Sequence, residues 1–454
     1  MKKVLSTVAA LGLVAGLAST AAAVEFKMSG KYLVEGAYLS DSRGTGVDVT
    51  EAAVDSNPSD AYWLHTFEIK PTMKVNDKVS MTSVIRLADD TIWGGQTDGD
   101  VQTAGSTVGP TTGDIYVHQL YMDYASPIGN TRFGRTPAGT YGTSFMDSDK
   151  RADRVMLWPS FLADGPWSTL FYIEKATDTR SANVPTADAS DADSDKYVAR
   201  LYYKTDSLDA GLHLAYSNDM TVNTVSNNKN EATIYGKYKM DNYFLNAELT
   251  HYFGEMDYDA AATLDRDYDS YAAMLQIGGK FDALTPSLMY FYAQGQDRNE
   301  TAANGGDLEA ALSTGTGDMF EPLYILTGRH TGMLNNDLFT GNGNNTLMST
   351  AGIHAVVAAA DYAVSPQLKL HGAIGWAQAD EAEIATYTNR DDTYGWEYNV
   401  GAAYKLLDNL TYEAHFGYLD TGDFFKTNGG AAGSPINNDE QNIYILTHSL
   451  TMTF

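Results

Sequence analysis

The chain predicts an all-β fold, a transmembrane antiparallel up-and-down β-barrel of about 18 strands. Three observations carry the prediction. The last residues alternate apolar and polar side chains until the chain stops on an aromatic: Tyr444, Leu446, Leu450, Met452 and Phe454 share one parity, and Thr447, Ser449, Thr451 and Thr453 the other. No later element can cover the apolar face of a strand that ends the chain, whereas lipid covers it in a closed barrel. Residues 1–23 carry Lys2 and Lys3, an uncharged apolar stretch from Val4 to about Leu17, and Ala21-Ala22-Ala23. That is the layout of a secretory signal peptide cut before Val24, which leaves 24–454 as the barrel domain. The third observation is a rhythm in which strand-like segments are joined alternately by long polar stretches and very short turns.

Period-two patterning places strands, in order, at Phe26 to Ser40, Tyr62 to Val75, Val79 to Ala88, Ile115 to Ala125, Asn130 to Thr136 and Arg154 to Trp158. The next six are Trp167 to Ala176, Lys196 to Thr205, Leu208 to Ser217, Ala232 to Met240, Tyr243 to Phe253 and Ser270 to Phe281. The last six are Leu284 to Gln294, Thr350 to Ala363, Gln367 to Ala377, Thr393 to Leu406, Leu410 to Leu419 and Asn442 to Phe454. An even number suits a barrel whose two ends lie on one side of the membrane. Arg154 to Trp158 is the weak member, and without it sixteen strands is the alternative. Short links such as Asn76-Asp77-Lys78, Asp241-Asn242 and Asp408-Asn409 face one side, and long links such as 137–153 and 295–349 face the other. Leu208, Leu212, Leu214 and Tyr216 then face lipid, as do Tyr394, Trp396, Tyr398, Val400, Tyr404 and Leu406, while Asp209, His213 and Ser217, and Glu397, Asn399 and Lys405, face the lumen.

Composition agrees. The chain has no cysteine, so an exported protein of 454 residues relies on its sheet rather than on disulfides. Thirty tyrosines and 41 glycines against 12 prolines suit long strands with aromatic girdles and tight turns. After Ala23 no uncharged apolar run approaches the ~20 residues of a spanning helix. The net charge is −28, and −30 once Lys2 and Lys3 are removed, which argues against nucleic acid as a partner. There is no G-x-S-x-G, no H-E-x-x-H and no thiol nucleophile, and the nine histidines are scattered, so the chain reads as a non-enzyme.

The terminal alternation ending in Phe454 resembles the C-terminal strand signature of bacterial outer-membrane β-barrels, in which a terminal Phe is the assembly signal. Met452 and His448 depart from that pattern without breaking the alternation. Both ends of the chain and its strand-loop rhythm resemble trimeric porins. The stretches G-N-T-R-F-G-R and F-M-D-S-D within 129–149 resemble the outer membrane homotrimeric porins of sulfate- and metal-reducing bacteria. The resemblance implies a bacterial outer-membrane location, a homotrimer, insertion by the barrel assembly machinery, contact with outer-membrane lipid and lipopolysaccharide, and a third loop folded into the lumen.

The third long loop follows a basic strand with Arg132 and Arg135 and carries Asp147, Asp149 and Asp153. Carboxylates on a loop facing guanidinium groups on a wall set up a transverse field in a narrow watery passage and filter ions by charge. The expected constriction is therefore Asp147, Asp149 and Asp153 against Arg86, Arg132 and Arg135. Arg135 shares parity with lipid-facing Phe133, which puts it above the membrane or beyond a bulge. Arg200, Lys204 and Lys237 also fall on lumen parity.

Two further stretches matter. Asp191, Asp193 and Asp195 copy the first acidic positions of an EF-hand loop, but Lys196 stands where the turn needs Gly. No cofactor or resident metal is expected beyond loosely bound surface divalent cations such as calcium. The loop 295–349 has an apolar centre, Phe320 to Leu326, that could plug the mouth, contact a neighbouring subunit or bind a solute. Passive diffusion of small hydrophilic solutes and ions is the leading expectation. A substrate-specific channel is the alternative, with Tyr202, Tyr235 and Tyr252 as a stacking path. A closed structural barrel is disfavoured because Gly278, Gly375, Gly401, Gly417 and Ala403 on lumen parity leave space.

Overall fold

The computed structural model describes residues 24–40, 59–93, 115–147, 151–177, 193–221, 225–258, 265–300, 305–311, 320–328, 330, 346–383, 391–425 and 442–454. The signal peptide assigned to 1–23 lies outside them, as do Asp149 and Asp191. The described residues form eighteen strands: β1 (Glu25–Leu39), β2 (Asp60–Lys74), β3 (Val79–Ile92), β4 (Tyr116–Ser126), β5 (Gly129–Pro137), β6 (Arg151–Pro159), β7 (Trp167–Thr177), β8 (Ser194–Lys204) and β9 (Leu208–Asp219). Then come β10 (Val225–Met240), β11 (Tyr243–Tyr258), β12 (Arg266–Gly279), β13 (Leu284–Ala293), β14 (Ile353–Ala363), β15 (Leu368–Gln378), β16 (Thr393–Leu407), β17 (Leu410–Thr421) and β18 (Ile443–Thr453).

Each strand pairs antiparallel with its sequence neighbour, and β1 pairs with β18 from Lys31↔Thr453 to Leu39↔Ile445, closing the sheet. Gly30 and Phe454 exchange backbone hydrogen bonds at 2.9 and 3.1 Å, so the terminal aromatic is tied into the seam. Closure leaves no edge, which is what a sheet in hydrocarbon requires. His448, the interruption in the terminal row, stands edge-on to the Trp63 ring at 4.5 Å on the outward face and sits over Gly36.

Eighteen strands, not sixteen, is the observed number. Arg151–Pro159 pairs with β5 over nine residues and with β7 over five, and a 3-10 turn at Ser160–Leu162 accounts for the longer link after it. At the tight turns Asp241 and Asp282 each adopt φ 51°, a left-handed conformation that Asp tolerates better than most residues. Strands β10 and β11 run beyond their apolar patterning, because Val225 to Glu231 pairs residue for residue with Tyr258 to Tyr252. Backbone pairing continues there although neither face shows the apolar alternation that marks the lower strand.

Face assignment follows parity. Leu245, Leu249 and Phe253 of β11 are 41–48% exposed, whereas Glu248, Thr250 and Tyr252 between them are buried. Tyr394 is the exception. It is fully buried rather than outward, because Gly395 at φ 121° and the register shift at Ala377/Gln378 reverse its direction, and its hydroxyl donates to the Gly352 carbonyl at 2.7 Å. The largest apolar cluster lies on the buried side of β11 to β18 and the adjoining β1 and joins Phe291, Ile353, Leu419, Ile443 and Ile445 to Phe320, Leu323, Ile325 and Leu326.

Candidate functional site

Two segments that are not strands pack on the buried side of the sheet, and each is received by one strand carboxylate. The first leaves β5 and runs through 138–147. Its glycines Gly139 and Gly142 have φ 78° and 67°, left-handed conformations that let the chain turn, and a Cβ at Gly142 would collide with Glu248. Glu248 of β11 accepts from the Thr143 N–H at 2.6 Å, the Thr143 hydroxyl at 2.9 Å and the Met146 N–H at 3.2 Å. Upstream, Arg200 of β8 donates to the carbonyls of Gly139 at 2.8 Å and Ala138 at 3.4 Å and to His213 Nδ1 at 3.0 Å. Tyr141 packs edge-on to Tyr235 at 4.8 Å, and burial pushes its phenol well above the usual range, so it remains neutral.

The second segment is Phe320 to Thr327. Glu397 of β16 accepts from the N–H groups of Ile325 and Leu326, both at 2.8 Å, while Thr327 closes the turn by donating to the Leu323 carbonyl at 2.7 Å. Its bed is made of the strand glycines. A Cβ at Gly375 would lie 2.8 Å from Leu323, one at Gly401 2.9 Å from Tyr324 Oη, and one at Gly417 3.3 Å from Tyr324 Cβ. The space that these glycines leave is thus occupied by the chain itself. Burial, and after it nearby carboxylates such as Asp361, pushes the Tyr324 phenol up, and its protonated oxygen lies 2.8 Å from His415 Nδ1. Farther along, His330 Nε2 sits 3.1 Å from Glu35 Oε1 of β1, and its Nδ1 3.1 Å from the Tyr62 hydroxyl of β2. The two segments meet where Phe145 and Phe320 pack at 4.9 Å, with Phe291 of β13 against both.

Of the expected constriction residues that the structure describes, Arg135 and Asp153 are brought together, on the outward face, while Asp147, Arg86 and Arg132 are each held by other partners. Asp147 accepts from the Tyr141 N–H in its own loop and lies 4.0 Å from Arg200, so its opposite number is Arg200. Arg132 is held on the wall by Asp123 at 2.7 Å beneath the Tyr121 ring at 4.1 Å. Arg86 pairs with Asp89 and, at 3.4 Å, with Glu68. Arg135 and Asp153 pair at 3.0 Å on the exposed face that carries Phe133 and Val155, since cross-strand register places both on outward parity. Asp193 and Asp195 each hold Lys175, at 2.8 and 2.9 Å. Lys204 lies 3.4 Å from Asp209, and Tyr235 donates to Asp209 at 2.7 Å.

Sequence reasoning missed the buried charge row on the same side as Arg200. There Arg154 donates to Glu174 at 2.7 Å, and Lys196 donates to Glu231 at 3.1 Å, across strands β6 to β10. It also missed Glu248. The signal was slight: Glu248 is the one acid among the lumen-parity residues of β11, and a buried carboxylate is costly unless something donates to it.

The architecture defines a class: a closed eighteen-stranded antiparallel barrel with apolar rows outside and charges inside is the fold of bacterial outer-membrane porins. The chain is similar to OccK9 (OpdG) of Pseudomonas aeruginosa, with a TM-score of 0.55 at 12% identity over 95% of this chain and 98% of that one. It is similar to OccK8 (OprE) of the same organism, with a TM-score of 0.52 at 12% identity over 95% and 98%. A third is OccAB4 of Acinetobacter baumannii, at 0.52 and 12% over 94% and 98%. No family model matches the sequence, and no curated protein matches it.

Proposed function

We propose that the protein is an outer-membrane porin that lets small hydrophilic solutes and ions diffuse through a water-filled passage narrowed by loop 138–147. The observation that carries this reading is the reception of that loop by Glu248, a buried carboxylate on the sheet face opposite the lipid-directed Leu245 and Leu249. Five buried or partly buried charges, Arg154, Glu174, Lys196, Glu231 and Arg200, line the same side and keep the passage polar. The reading assigns the chain no catalysis. It includes export by the signal peptide, insertion through the terminal Phe454 strand by the barrel assembly machinery, contact with lipopolysaccharide, and assembly as a homotrimer. Reconstitution in a planar bilayer tests it: a steady, ohmic conductance is expected, and its absence from correctly folded protein refutes the proposal.

One observation favours the alternative of a substrate-specific channel. The second segment, 320–327, packs apolar side chains against the buried face of β14 to β18. A solved structure with the same fold is OpdK of Pseudomonas aeruginosa with vanillate, with a TM-score of 0.51 at 11% identity over 94% of this chain and 98% of that one. Conductance blocked by one small organic acid and indifferent to others would select this alternative.

A further inference from the structure

The mouth of the barrel that bears the short turns carries a polar row of its own. On lumen parity, register sets Glu25 of β1 beside Lys74 of β2, Lys74 beside Ser80 of β3, Ser80 beside Asp123 of β4, and Asp123 beside Arg132 of β5. One strand further, Trp158 of β6 stands beside Asn130 of β5. Together with Lys27, Asp77 and Lys78 these side chains line a cavity of about 670 Å³. Sites for small solutes commonly measure ~300–1,000 Å³ and combine an apolar surface with a few placed polar groups.

We propose that this wall is a subsite for a neutral polyhydroxylated solute, a mono- or disaccharide, which rests on the porin reading and adds a ligand class to it. Six of the seven lining charges are already paired: Lys27 with Glu25 at 2.8 Å, Lys74 with Asp77 at 2.8 Å and Arg132 with Asp123 at 2.7 Å. Lys78 makes no ion pair among the described residues and leaves the lining one positive charge in excess. An anion arriving at Arg132 would have to displace Asp123, which accepts two hydrogen bonds from the guanidinium, at 2.7 and 3.2 Å, while the Tyr121 ring braces it at 4.1 Å. Hydroxyl groups displace nothing. Each pair leaves carboxylate lone pairs and ammonium N–H groups unused, and a sugar hydroxyl donates to the one and accepts from the other. Trp158 supplies the apolar part of the site. Its half-buried indole lies 5.7 Å from the Arg132 guanidinium, and the C–H face of a sugar ring laid on the indole is withdrawn from water beside the polar row.

Saturation-transfer NMR on the full-length protein, held in a detergent without a sugar headgroup, reads binding whether or not the channel conducts. Transfer to maltose and glucose is expected, with weaker transfer to gluconate and to glycine. Trp158→Ala is expected to weaken maltose binding roughly 2- to 10-fold, and Trp158→Phe, which keeps an aromatic face, to retain most of it. Each variant is first confirmed as folded by heat-modifiable migration. In a planar bilayer the same sugars are expected to interrupt the current transiently, and Trp158→Ala to shorten the interruptions. No transfer to either sugar from folded protein overturns the subsite, and a steady conductance from that protein leaves the porin reading standing. Transfer without any conductance supports the subsite and counts against the porin reading. Stronger binding of gluconate or glycine than of glucose overturns the neutral ligand class, and undiminished binding by Trp158→Ala overturns the placement at this wall.

Discussion

Segment 138–147 settles on Glu248 among Arg200, His213, Tyr141 and Tyr235, with buried ion pairs a few strands away. Segment 320–327 settles on Glu397 among Leu419, Ile443, Ile445 and three bare glycines. Both carboxylates accept two backbone N–H groups and sit on the lumen parity of a long strand, yet one is embedded in polar chemistry and the other in an apolar core. A carboxylate can receive a non-repetitive segment in either setting because the turning backbone brings its own donors. The surroundings decide what else the segment can do. The first keeps a charged residue, Asp147, near the wall's Arg200, while the second presents Leu323, Ile325 and Leu326 and serves to occupy volume.

Removing each segment breaks the comparison most directly. Replacing 321–326 by a short Gly-Ser link should raise single-channel conductance several-fold, and shortening 140–146 likewise should raise it less while moving ion selectivity more. Equal effects on both quantities would mean that the segments are not specialised. Next in size are the receiving carboxylates. Glu397→Leu leaves two buried N–H groups without an acceptor, at about 1–3 kcal/mol each, and should appear as noisy or sub-state currents with a lowered unfolding temperature. Glu248→Leu should behave similarly but be partly compensated by Arg200 holding Gly139 and Ala138. A quieter channel in either variant would contradict the role assigned to the carboxylate.

Smaller effects sharpen the contrast. Gly375→Val pushes against Leu323 and should disturb the second segment alone, leaving selectivity set by the first unchanged in reversal-potential measurements. A selectivity change from this substitution would reveal coupling through Phe145 and Phe320. Asp147→Asn keeps an acceptor for the Tyr141 N–H but removes the charge facing Arg200, so a small shift of reversal potential toward anions is expected with conductance nearly unchanged. No shift would place the passage away from Asp147.

The sequence by itself determined the barrel. Side chains alternate along a strand with a period of two, so Leu212, Leu214 and Tyr216 against His213 and Ala215 state which face meets lipid before any partner is known. Tight turns at Asp241 and Asp282 then fix the pairing of consecutive strands, and β6 was legible despite its brevity. Where the period breaks, the reading failed. Tyr394 turns inward at a glycine bulge, a backbone event that residue identity only hints at. Arg135 and Asp153 were grouped with a constriction because they are near Asp147 in the chain, although register places them on the other face. Tertiary structure alone decided which carboxylate receives each segment, for Glu248 lies about a hundred residues from the loop it holds, and Glu397 more than seventy from its own. A loop has no period to betray its neighbours, so only the closed sheet, by bringing distant strands around one axis, determines which carboxylate its backbone will meet.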